Sequence, residues 1–195
     1  MTKGNHDRNA KLTQEETVSN IQYHMMCEQH LNGADVHFNP TDPYGNYYYV
    51  DYAREKVRVI ILNYFDEAVM QNMGFHDLQL DWLDKCAFGT LDEDWTVVMF
   101  SHEYTKAGDR FWNIIDSVIA AGRIKIAALV HGHTHRDMHS IKHGINIVGV
   151  RSGFCEEAAI GTPDQDSFSV FTVDTRDRVL RETRVGHGKN REFKF

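Results

Sequence analysis

A chain of 195 residues fits one domain, residues 1–195, with room for a real hydrophobic core. Its 42% hydrophobic and 25% charged residues are ordinary for a soluble globular protein, and a formal net charge of −7 leaves no global basic footprint for nucleic acid. No signal-peptide pattern opens the chain, its apolar runs fall well short of a membrane span, and Cys27, Cys86 and Cys155 form no C-x-x-C, so a reducing, cytoplasmic setting without membrane contact is expected.

In chain order, Gly4-Asn5-His6-Asp7 comes first. Thr13 with Glu16 offers a capping box for a helix over 15–29, whose apolar face is Val18, Ile21, Met25 and Met26, the methionines filling core. Glycine, proline, Asn and Asp make 32–46 a loop. Tyr47, Tyr48, Tyr49 and Tyr52 read as half-buried strand aromatics. A helix is expected over 76–87 and a strand over 95–100, running into Ser101-His102-Glu103. A second amphipathic helix spans 109–121, with Phe111, Ile114, Ile115, Val118 and Ile119 at helical spacing and Gly122 as C-cap. The apolar run 124–130 reads as a buried strand and feeds His131-Gly132-His133-Thr134-His135. Residues 141–150 and 167–182 alternate as strands, with a hairpin turn over 174–177, and the polar, glycine-rich 186–191 reads as a frayed terminus. Alternating helices and strands followed by a run of strands predict an α/β fold with two packed sheets and helices outside.

His133 and His135 fall on one side of an extended chain, and neutral imidazoles at i and i+2 past a strand end can hold one or two metal ions. Gly132 leaves room for close backbone approach. His131 reads as packed in the core or supporting the ligands, and Glu103 as a solvated loop carboxylate. Asp137, two residues past His135, could hold a ligand histidine by its second nitrogen.

The order G-N-H-D, strand-His102, strand-G-H-x-H resembles the calcineurin-like metallophosphoesterase family, in a bacterial or phage-type form. Tyr47 to Asp51 followed by Val57 to Asn63 resembles that family's hairpin, with Asn63 where aspartate is usual. Leu78-Gln79-Leu80-Asp81-Trp82-Leu83 resembles its Q-x-x-W-L helix. The resemblance implies a four-layer sandwich of two mixed β-sheets flanked by helices, and two divalent ions (Mn, Fe or Zn) that hydrolyse small phosphate mono- or diesters. It assigns Asn5, His102 and His133 to one metal and His135 to the other. His6 is the catalytic histidine beside the leaving oxygen, Asp7 orients it, and Arg8 touches phosphate or forms a surface ion pair.

The family's D-x-H and G-D motifs precede G-N-H-D. Here Asp35-Val36-His37, Asp137-Met138-His139 and Gly108-Asp109 all follow it, in the wrong order. The expectation is therefore an N-terminally truncated domain lacking its first two strands, with impaired hydrolysis and partial metal occupancy. Its open sheet edge would suit oligomerisation or a partner chain. The alternatives are a non-catalytic or partner-completed remnant, or a structural zinc site of His102, His133 and His135. Structural zinc, however, favours four closed ligands.

Overall fold

The computed structural model describes residues 2, 4–5, 19–31, 33–65, 73–151, 162 and 167–195. Seven strands form one mixed sheet: Val36–Phe38 (β1), Tyr48–Tyr52 (β2), Val57–Ile61 (β3), Thr96–Ser101 (β4), Lys125–His131 (β5), Met138–Lys142 (β6) and Ile145–Gly149 (β7). Their spatial order is β1-β2-β3-β4-β5-β7-β6, with β3, β4, β5 and β7 parallel. β1 and β2 extend one side antiparallel, and β6 the other. Phe168–Asp174 (β8), Val179–Val185 (β9) and Arg191–Lys194 (β10) make a three-stranded sheet, antiparallel rather than mixed. Among the described residues the helices are Asn20–His30 (α1), Asp77–Trp82 (α2), which runs on as π-helix over Leu83–Phe88, and Gly108–Ala121 (α3). The expected α/β architecture of two sheets with helices is present.

Period-2 alternation explains the layering. On β4, Val97 and Met99 join a core cluster with Leu83, Phe88, Phe111 and Ile115 on the helix side of the large sheet. Val98 instead joins Val130, Val148, Leu180 and Phe193 in the cluster against the small sheet. A bulge opposite Val97 and Val98 adds Ala127 to β5, so the parity of the strand changes before its end. Leu129 thus faces the helix-side core, and His131, two residues on, reaches Tyr104 with ring centroids 4.7 Å apart.

Several expectations shift. The first helix is capped at Ser19, whose Oγ accepts from Gln22 N–H while Gln22 Oε1 accepts from Ser19 N–H, a full capping box; the Thr13–Glu16 box lies outside the described residues. Its buried face is Tyr23, His24 and Cys27, whereas Ile21, Met25 and Met26 are exposed. The rotation is set by His24 packing on Phe38 and Tyr44 and by Asn46 Nδ2 donating to Asn20 O. The loop 32–46 contains the short strand β1, which pairs with β2. The single strand expected over 141–150 is a hairpin, β6 to β7, turning through His143 and Gly144, both with positive φ as a type I′ turn requires. The C-terminus is paired rather than frayed, because β10 hydrogen-bonds to β9 and buries Phe193. Among the described residues no helix is long and apolar enough to cross a membrane.

A candidate metal centre at the ends of two parallel strands

β4 and β5 lie side by side in parallel register, Ser101 opposite His131, so the loops that leave them emerge together. The carboxyl ends of parallel strands are where open α/β sheets place their ligands. Gly132 N–H donates to His102 O at 3.2 Å and locks the two loops to each other. Ser101 Oγ donates to Glu103 O at 2.6 Å and turns the first loop immediately after β4.

Three of the residues expected at a metal meet here. Asn5 Oδ1 stands 2.9 Å from His102 Nε2 and 3.2 Å from His133 Nδ1. The segment carrying Asn5 packs tightly, since a Cβ on Gly4 would lie 3.0 Å from His102 Cε1. Phe65 flanks both rings, at centroid distances of 5.6 Å to His102 and 6.0 Å to His133. Two ligands at right angles, each about 2.1 Å from a metal, stand about 3.0 Å apart. The observed separations therefore suit one shared cation, and two imidazoles with an amide oxygen suit Mn, Fe or Zn.

His135, which the resemblance assigns to the other metal, lies on the same loop as His133. His133 and His135 both have left-handed backbone, φ 58° and 54°, so the chain is not extended and the two rings do not alternate along a strand. Non-glycine residues in that region carry about 1–3 kcal/mol of strain each, the kind that collects at functional sites. Among the described residues, no hydrogen bond, ion pair or ring contact ties His135 to the other three. His6, Asp7 and Arg8 lie outside the described residues.

Glu103 is the residue that sequence reading misplaced. It is buried rather than solvated, at 6% exposure. Its Oε1 accepts from Tyr104 N–H at 2.7 Å and Thr105 N–H at 2.9 Å, and its Oε2 lies 3.4 Å from His133 Nε2. Burial pushes its pKa up, but the two backbone donors and His133 outweigh that, and the carboxyl sits below its ordinary range. The signal available beforehand was its place beside His102. His131 is buried, with Nδ1 donating to Gly132 O at 3.1 Å, and burial lowers its pKa.

Asp137 does not support a ligand histidine. It accepts from Arg151 N–H at 2.9 Å and pairs with Arg184 and Arg191 at 3.7 and 3.8 Å. The Asp35-x-His37 pair reaches Asp51 across the sheet, and these three are the only His, Cys, Asp or Glu trio among the described residues with ligand atoms all within 4.8 Å. Arg58 already holds both Asp51 oxygens at 2.7 Å, so a cation there would compete with a guanidinium.

The Q-x-x-W-L residues are structural. Gln79 Oε1 accepts from Asn63 N–H and Gln79 Nε2 donates to Asn63 O, both at 2.8 Å, while Trp82 packs on Tyr47. No protein-family model matches the chain, and no curated protein matches it.

Proposed function

We propose that this chain is a calcineurin-like metallophosphoesterase, of the four-layer sandwich type, that hydrolyses small phosphate mono- or diesters in the cytoplasm. The observation that carries the reading is the convergence of Asn5 Oδ1, His102 Nε2 and His133 Nδ1 outside β4 and β5. These residues come from three of the sequence motifs, in the family's order. When bound, a divalent ion supplies charge neutralisation at the phosphoryl oxygens and acidifies a water.

The chain's own residues orient and protonate. Asn5, His102 and His133 hold the ion, and His133 is 37% exposed. His135, half-buried on the same loop, serves a second ion. His6 donates a proton to the leaving oxygen and Asp7 orients His6. Phe65 walls the centre against water from one side.

The test is metal content of the purified chain together with hydrolysis of an aryl phosphodiester under added Mn²⁺. The reading expects bound metal and turnover, both lost in His133→Ala. Turnover that survives His133→Ala refutes it.

A second reading has its own observation. Beside His102 and His131 lies a cavity of about 370 Å³ lined by Phe100, Val130, Phe168 and Phe171. β8 at its rim pairs only with β9 among the described residues. A partner chain adding a strand to β8 would fill this space and bring carboxylates to the centre. That version expects metal and turnover in an assembled species only, separable by sedimentation.

A further inference from the structure

Glu103 divides its two oxygens between different tasks. Oε1 is held by the Tyr104 and Thr105 N–H groups, so the carboxylate cannot rotate without breaking both bonds. Oε2 is left facing His133 Nε2 at 3.4 Å from a side chain only 8% exposed. The other nitrogen of the same ring, Nδ1, faces Asn5 Oδ1 at 3.2 Å. A neutral imidazole has one N–H and one lone pair, and a carboxylate only accepts. An Nε2 lone pair opposite Oε2 would set two acceptors against each other beside a buried carboxylate. An Nε2–H removes that conflict and leaves the lone pair on Nδ1, aimed at the point that Asn5 Oδ1 and His102 Nε2 also face. Two acceptors 3.2 Å apart repel, and a cation at that point would relieve the repulsion.

We infer that Glu103 is a positioning residue of the metal centre: it selects the Nε2–H tautomer of His133 and so aims the Nδ1 lone pair at the ion. The inference rests on the reading of Asn5, His102 and His133 as a cation site, and it adds the group that prepares this site before any ion arrives. A carboxylate behind a ligand histidine fixes ring orientation and raises ligand basicity. Here it also places a negative charge close to a set of neutral ligands.

Glu103→Gln makes a sharp test. The two backbone donors retain the amide carbonyl, so the NH₂ group falls against His133 Nε2. That demands a lone pair on Nε2 and moves the proton to Nδ1, where it blocks the ion. Long-range ¹H–¹⁵N spectra of ¹⁵N-histidine protein, assigned with His133→Ala, read the tautomer without metal. Zn²⁺ titration calorimetry reads the affinity. The expected result is Nε2–H in the wild type, Nδ1–H in Glu103→Gln, and Zn²⁺ affinity lowered by about 10- to 100-fold.

Wild-type His133 carrying its proton on Nδ1 overturns the inference, and that measurement needs no variant to fold. Glu103→Gln with unchanged tautomer and affinity overturns it too. A wild type that shows the Nε2–H tautomer but binds no Zn²⁺ overturns the cation site instead, and leaves the selection of tautomer by Glu103 standing.

Discussion

Asn63 shows how one atom decides a residue's role. It stands where the family pattern has aspartate, yet it is fully buried, and its Nδ2 donates to Gly45 O at 2.8 Å while its Oδ1 accepts from Phe65 N–H at 3.2 Å. A carboxylate can accept from Phe65 but cannot donate to Gly45. Asn63→Asp is therefore expected to leave a buried carbonyl unsatisfied next to a buried charge. The cost is about 1–3 kcal/mol, more if the acid ionises, and it is measured as a lower urea midpoint with unchanged slope. Asn63 thus staples the loop before β2 to the end of β3. Glu103 makes the same point from the other side: its type and place were visible, but its burial against His133 was not.

At the scale of elements, β5 and the loop after it carry a consequence for acid stability. The bulge at Ala127 turns His131 into the helix-side core beside Tyr104, and burial holds its pKa below the ordinary 6.5. The unfolded chain takes up a proton as pH falls through about 6.5, while folded His131 resists until lower pH. Its contribution is complete above that value and is lost as pH falls toward the depressed folded value. Glu103 adds the same sign in a lower window, below 4.5. Urea midpoints are expected to drop between pH 7.5 and 5.5, and by less in His131→Phe. An equal drop in both proteins would refute the assignment to His131. The buried Arg58 plays a different part here, tying β3 to β2 through Asp51 and to the π-helical segment through Ala87 O at 2.7 Å.

At the scale of the whole molecule, a seven-stranded sheet is covered by α2 and α3 on one face and by the three-stranded sheet together with α1 on the other. β8 bounds the small sheet, and Phe168 and Val170 on it are 53% and 46% exposed. Among the described residues β8 pairs only with β9, and an edge carrying apolar side chains favours pairing with another chain. Val170→Lys places a charge on that strand and is expected to lower light scattering at high protein concentration while leaving Zn²⁺ affinity unchanged. Scattering that stays the same would locate self-association elsewhere.

The strands β4 and β5, helix α3 and the histidines at the strand ends were legible from residue order, because alternation, helical spacing and a C-cap glycine act between near neighbours. The hairpin at His143, the register of β10 and the rotation of α1 were not, since distant partners set each of them. The candidate site divides in the same way. Asn5, His102 and His133 are visible as types in a pattern, but Asn5 meets the two histidines across 97 and 128 positions. Which nitrogen of His133 faces Asn5 follows from left-handed backbone in its loop and from a carboxylate 30 positions earlier in the chain. Such facts depend on burial and on the direction of single lone pairs, and these exist only once the strands lie side by side.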